Sequence, residues 1–324
     1  MKLYSIPRLY CPFESISHPD SEAIQEHTDQ WIMDFGLIDS VEMLDKYKKQ
    51  KFGSMIAMSY PYGEYVDLAA WCDLNTLLFI VDDNLDEKEI ITDKKAFSNF
   101  VDGLLDVVER GRRCTIKKDG PVLAALDDFW QRMQLRSSAV WKEKFIQGIK
   151  DTFEGGMWQF RHVVNNQLPD MQEYISIRQY LGAANLATES LEVTGKVQLE
   201  EVVYNSPSVR KLTEIARNTV CFANDLFSLG KEMAQGAGIA SEFNLVSIIK
   251  RKHNLSIEDA IMEVAAIHDT QVKEFISIAE TATQFDRNTN IMVGRFIDCL
   301  RHFMKGNIVW STKITSRYPH IYEN

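Results

Sequence analysis

Apolar residues recur at spacings of three and four along most of the chain, and sustained strand-type alternation is scarce. That pattern predicts an all-α fold. Helices are expected over roughly 20–35, 39–50, 64–86, 93–110, 121–136, 139–165, 170–194, 207–234, 242–252, 256–284 and 287–316, with ends uncertain by about two to four residues. In the third, Leu68, Trp71, Cys72, Asn75, Leu78, Phe79 and Asp82 share one helix face that leads into an acidic cluster. All eight prolines fall outside the expected helix interiors, where each would cost about 3 kcal/mol. Ser206 before Pro207 reads as an N-cap followed by the first helical residue, and Ser256 with Asp259 three later reads as a capping box. Gly236 to Gly238 and the basic stretch Arg110 to Lys118 are only loop-length, and no repeat or linker divides the chain. One helical domain over residues 1–324 is the economical expectation.

Composition changes this picture little. The 324 residues are 45% hydrophobic and 25% charged, as in ordinary globular proteins. The net charge of -10 argues against nucleic acid or an anionic membrane as the main partner, since both would repel the chain at long range. An anionic substrate would need local help from metal ions or placed arginines. Five scattered cysteines without a Cys-x-x-Cys pair indicate neither a disulfide framework nor a zinc site. The start, Met-Lys-Leu-Tyr-Ser-Ile-Pro, lacks a signal-peptide apolar run, and Leu77 to Val81 is far too short to span a bilayer. A cytoplasmic location is expected.

Two polar clusters carry candidate chemistry. Asp82, Asp83, Asn84, Leu85, Asp86 and Glu87 follow directly on Leu77 to Val81. Asp82 and Asp86, four apart, would share a helix face and could converge on one or two hard divalent cations. A solvated acidic helix end is the alternative. Carboxylates near a helix C-terminus oppose its dipole, however, and call for a compensating cation. Asn224, Ser228 and Glu232, spaced by four and four, would line three oxygen donors along one helical stripe, half of an octahedral magnesium site. Of fifteen asparagines, only Asn224 has Ser four later and Glu eight later. A merely polar helix face is the competing reading. Lys231 adds a cation able to reach a phosphate oxygen.

The cluster at Asp82 resembles the aspartate-rich motif of class I terpene synthases, and Asn224, Ser228 and Glu232 resemble their Asn/Ser/Glu motif, 142 residues later, with Asp225 following the asparagine. Asn307, Trp310, Arg317 and Tyr318 are similar to the C-terminal Arg-Tyr pair and the tryptophan before it. Arg178, 46 residues before Asn224, stands where that family keeps a diphosphate-sensing arginine. Pro12, Phe13, His18, Pro19, Trp31, Gly36 and Leu37 also look like the family's N-terminal region, so the resemblance spans nearly the whole chain. In one departure, Leu181 precedes Gly182, the position of the effector glycine, where the family often has aspartate or a small polar residue.

The resemblance implies a helical bundle around a cavity and the cyclisation of a prenyl diphosphate. Asp82 with Asp86 would hold two Mg²⁺ and Asn224, Ser228 and Glu232 a third, with Arg178, Lys231, Arg317 and Tyr318 donating to diphosphate oxygens. Asp83 is not expected to be a ligand. Phe79 and Trp310 are the candidates for aromatic faces that stabilise a carbocation, with simple core packing as the alternative for both. Farnesyl diphosphate and a sesquiterpene hydrocarbon or alcohol are favoured, with geranylgeranyl diphosphate and a diterpene as the alternative. Chain-elongating prenyl transfer is the nearest enzymatic rival and an idle helical scaffold the non-enzymatic one. No nucleic-acid partner is expected, and the chain would act as a monomer or homodimer. The sequence contains no His-Glu-x-x-His, phosphate-binding Gly-rich loop with Lys, or Gly-x-Ser-x-Gly.

Overall fold

The structure, a computed structural model, describes residues 3–87, 94–235 and 239–323. Helices α1 (Ser21–Asp34), α2 (Val41–Gln50), α3 (Phe52–Ser59), α4 (Tyr65–Glu87), α5 (Lys94–Val108), α6 (Ile116–Asp119), α7 (Pro121–Gln134) and α8 (Ala139–Val164) form the first half. The second half comprises α9 (Met171–Leu181), α10 (Ala184–Glu189), α11 (Leu191–Thr194), α12 (Glu201–Tyr204), α13 (Pro207–Gln235), α14 (Leu245–His253), α15 (Ile257–Thr281) and α16 (Arg287–Val309). A π-helical turn, Trp310–Ile314, follows α16, and two three-residue strands, β1 (Tyr4–Ile6) and β2 (Ile321–Glu323), pair in parallel and tie the chain's beginning to its end. The fold is all-α, as the periodicity predicts.

Four features differ from the sequence reading. Phe52–Ser59 is helical, not a connection. Lys51, left-handed at φ 57, ends α2 and starts α3 in a new direction. The expected helix over 170–194 is interrupted by Gly182 and Ala183, and it continues only as the short α10 and α11. The last long helix leaves α-geometry at Trp310. Ser206 is not a side-chain cap, because its hydroxyl has no partner, whereas Ser256 accepts from the Asp259 amide at 3.0 Å and donates to its carboxylate at 2.6 Å. The Gly236 to Gly238 stretch lies outside the described residues.

One hydrophobic core runs from Tyr4 to Tyr318. Within it Trp141 stacks on Phe145 (4.9 Å between centroids) and Phe145 on Trp130 (5.4 Å), and Phe145 meets Trp71 of α4 edge-on at 6.3 Å. Truncating such a ring to alanine typically costs about 3–5 kcal/mol. Fully buried carboxylates within this core are all paired, as the cost of an isolated buried charge requires. Asp73 on α4 takes His27 (3.0 Å) and Thr28 (2.6 Å) from α1 and Arg132 (2.8 Å) from α7. Asp67 is held by Arg136 and by Lys196 at 2.7 Å. These pairs fix α4 against its neighbours, and α4 carries the first acidic cluster. Among the described residues no helix is long and apolar enough to cross a membrane.

Candidate active site

Helix α13 supplies the second stripe. Spacing by four places Asn224, Ser228 and Glu232 on one face, and Ser228 donates to Glu232 Oε1 at 2.5 Å. Asn244, which caps α14 through its side-chain oxygen, donates to the other Glu232 oxygen at 2.9 Å. Burial, reinforced by the negative charge of Asp225, pushes the Glu232 carboxyl up to about 7. A carboxylate so placed gains from a neighbouring cation, and an amide, a hydroxyl and a carboxylate in one line are the hard oxygen donors that magnesium takes. The residues present therefore fit such an ion. Among the described residues no three His, Cys, Asp or Glu side chains gather as a metal site, which agrees with a triad containing only one carboxylate.

Asp225, pointing away from that stripe, is fully paired. It accepts from Arg178 Nε (2.8 Å), from the Tyr174 hydroxyl (2.9 Å) and from the Leu245 amide (3.0 Å) at the start of α14. Burial opposes the charge on Arg178, but Asp225 outweighs it and holds the guanidinium firmly protonated. The same guanidinium donates to Asn224 Oδ1 at 2.9 Å. It also lies across Gly182: a β-carbon there would come within 2.3 Å of Arg178 Nη1. Arg178 and Gly182 are thus in direct contact in this chain, with Leu181 beside them and not in between. Ala183 next to it is left-handed at φ 53, a conformation costing a residue with a β-carbon about 1–3 kcal/mol.

Helix α4 brings the first cluster to the same place. Asp82 points outward, its side chain 66% accessible, with an oxygen 3.8 Å from Arg317 Nη2. Asp83 turns inward, where Arg317 grips it twice (2.8 and 3.1 Å) and Lys231 (3.0 Å) and the Tyr47 hydroxyl (3.0 Å) complete its shell. Burial alone would raise this carboxyl, but the hydrogen bonds and charges of Arg317 and Lys231 prevail and hold it well below the ordinary carboxylate range. Asp83 is the common counter-charge of two expected diphosphate donors, Lys231 and Arg317. The Asp86 side chain lies outside the described residues.

Arg317 and Tyr318 join the two stripes. Arg317 holds Asp83 on α4, and the Tyr318 hydroxyl accepts from Asn224 Nδ2 on α13 at 2.8 Å. Below them is an aromatic layer. Arg317 sits 4.6 Å over the Phe79 ring, Phe79 stacks on Phe52 (4.6 Å), and Phe52 stacks on Trp310 (5.7 Å). Trp310 is buried and anchored by its indole N–H to the Gln50 (2.7 Å) and Lys51 (3.0 Å) carbonyls. Phe79, only partly buried, is the more available face.

Sequence reasoning missed Phe52, Gln50, Tyr47, Asn244 and Arg217 around this site. The near-continuous apolar run Phe52 to Met58 was the one available signal for Phe52.

The model of terpene synthase family 2, C-terminal metal binding, matches residues 73–274, which contain both stripes. Germacrene A synthase of Nostoc punctiforme is 26% identical over 94% of this chain and 92% of its own. The (+)-T-muurolol synthase ((2E,6E)-farnesyl diphosphate cyclizing) of Roseiflexus castenholzii is 24% identical over 96% of this chain and 94% of its own. The crystal structure of a linalool/nerolidol synthase from Streptomyces clavuligerus superposes with a TM-score of 0.83 at 20% identity, over 94% of this chain and all of that one, and shares its fold. With a family match over more than half its length, the chain belongs to terpene synthase family 2, the microbial class I terpene cyclases, and is a lyase of that family.

Proposed function

We propose that this cyclase ionises farnesyl diphosphate with the aid of magnesium and closes the resulting cation to a sesquiterpene hydrocarbon or alcohol, releasing diphosphate. The observation that carries the reading is the bridge made by two adjacent residues: Arg317 reaches the acidic cluster while Tyr318 bonds Asn224. That bridge sets oxygen donors from α4 and α13 around one group of cationic side chains. The name of the Roseiflexus relative, which cyclises farnesyl diphosphate, supports the substrate length.

Asp82 with Asp86, and Asn224, Ser228 and Glu232, would hold the ions, three by the family resemblance; when bound, they supply the Lewis acidity that neutralises a departing diphosphate. Arg178, Lys231, Arg317 and Tyr318 would donate hydrogen bonds to its oxygens, which strengthen as negative charge collects there in the transition state. Arg317 and Lys231 already stand together on Asp83, so both are oriented before substrate arrives, and little ordering remains to be done on binding. Gly182, free of a side chain, leaves room for the Arg178 guanidinium that rests on it. Phe79, with Phe52 and Trp310 behind it, would offer a passing cation a face worth about 0.5–2 kcal/mol once Arg317 turns from the ring to the diphosphate, and no nucleophile to trap it.

The test is incubation with geranyl, farnesyl and geranylgeranyl diphosphates separately, each with Mg²⁺, followed by diphosphate assay and gas chromatography with mass spectrometry. Cyclic C15 products from farnesyl diphosphate, without isopentenyl diphosphate, are expected. Turnover only when isopentenyl diphosphate is added would establish chain elongation instead, and no diphosphate release from any of the three would leave a scaffold.

A further inference from the structure

We infer that Arg217 is a positioning residue for the cyclisation: reaching from α13, it clamps the break between α9 and α10 and so sets where Gly182 and Arg178 face the substrate. The inference rests on the functional reading above for its catalytic consequence, but the clamp itself is a property of the fold.

The break needs a clamp. Gly182 and Ala183 leave helical geometry between two helices, and Ala183 holds a left-handed backbone without being glycine. Such a conformation persists only where surrounding contacts determine it. Arg217 makes those contacts on both sides. Its Nη1 donates to Gln179 Oε1 (3.2 Å) on α9, before the break. Its Nε donates to Thr188 Oγ1 (2.6 Å) and its Nη2 to Glu189 Oε1 (2.7 Å), both on α10, after it. Glu189 is fixed in turn by the Tyr204 hydroxyl at 2.7 Å. The side chains of Arg217 and Glu189 are only 12% and 13% accessible, so solvent competes weakly for the pair. A planar guanidinium with donors in fixed directions suits three acceptors at once, as a lysine would not.

The clamp is mechanically tied to the site. Asn224 lies seven residues beyond Arg217 on α13, two turns along the same helix. There the bond runs the other way, from Arg178 of α9 to Asn224 and Asp225 of α13. The two arginines close a frame around Gly182, one at each end. On the remaining side α8 packs so tightly that a β-carbon on Gly155 would approach the Leu181 nitrogen to 3.0 Å. A shift of the break is therefore transmitted to Arg178, whose guanidinium rests on Gly182, and not absorbed by slack.

The experiment compares wild type with Arg217→Met, Gln179→Leu and Arg136→Met, the last removing an arginine whose bonds go to Asp67 and Glu64 and to neither side of the break. Amide exchange without substrate, kcat and KM for farnesyl diphosphate, the product profile and the melting temperature are measured for each. In Arg217→Met, exchange at residues 178–186 is expected to rise about tenfold or more while that of α15 stays constant. Its kcat should fall about tenfold with KM within about twofold, and acyclic products should rise at the expense of cyclic ones. Gln179→Leu should move the same readouts in the same direction by less, and it decides the matter should Arg217→Met not fold. Unchanged exchange and products in a folded Arg217→Met, unchanged readouts in Gln179→Leu, or an equal product shift in Arg136→Met would each overturn the inference. Wild type inert towards every prenyl diphosphate would instead refute the functional reading, while the exchange arm would still report on the clamp.

Discussion

Replacing Asp83 by asparagine removes one negative charge that serves two cations. Asp83 is 8% exposed, and it neutralises Arg317, whose side chain is 6% accessible, and Lys231, at 23%. Breaking a buried ion pair by deleting one partner costs about 3–5 kcal/mol, mainly because the other charge stays buried and unpaired. An asparagine oxygen still accepts one hydrogen bond and Lys231 can turn partly to water, so the lower end, about 3 kcal/mol, applies here. For 324 residues the entropy of unfolding is about 0.7 kcal/mol/K, so the melting temperature should fall by about 4 °C. Circular dichroism melts of Asp83→Asn, Arg317→Gln and the double variant give the test. The double variant should be more stable than the sum of the singles implies, by about 2 kcal/mol. A fall of less than about 1 °C in Asp83→Asn, or additive losses in the cycle, would show that the pair does not carry the charge balance argued for it.

Gly182→Ala would drive a methyl group into Arg178 Nη1, 2.3 Å from the β-carbon position. Because a misplacement of about 1 Å can cost about a hundredfold, kcat should fall by about that factor with the melting temperature little changed; near-normal kcat would show that Arg178 yields freely. Phe79→Leu should change the product ratio more than the rate of diphosphate release, by about twofold to thirtyfold if the ring is worth 0.5–2 kcal/mol to the cation, and an unaltered profile on chromatography would place Phe79 in the packing core. Ser206→Ala should leave stability within about 0.5 kcal/mol, since its hydroxyl is unpartnered, whereas Ser256→Ala should lose about 1 kcal/mol; urea titrations showing the reverse order would contradict the cap geometry.

The helices that hold the site were legible where one face is apolar and the other polar. Helix α13 is the clearest case, with Pro207 at its start and the Asn224, Ser228, Glu232 stripe following from spacing alone. Helix α3 was not legible, because it is buried all round and such a segment shows no period. With it went Phe52, which underlies both aromatic candidates. The break after Leu181 is not placed by Gly182 alone, since one glycine costs a helix only about 1 kcal/mol; the residue that turns the chain is Ala183, and a left-handed alanine leaves no mark in the sequence. Adjacent aspartates posed a similar difficulty. The face taken by Asp82 followed from helix spacing, but the pairing of Asp83 rests on Arg317, 234 residues away, and no local pattern reveals so distant a partner. Arg217 was likewise one arginine among many until the fold set Gln179, Thr188 and Glu189 around it.

The proposed chemistry requires cooperation between the Asp82 carboxylate at the end of α4 and the donor stripe of α13. Its most direct measurement is release of diphosphate and volatile product from farnesyl diphosphate with Mg²⁺ by wild type, Asp82→Ala and Asn224→Ala, alongside their far-ultraviolet circular dichroism. Loss of both signals in each variant, with helical content unchanged, is the result predicted. Full turnover by the Asn224→Ala protein would contradict it.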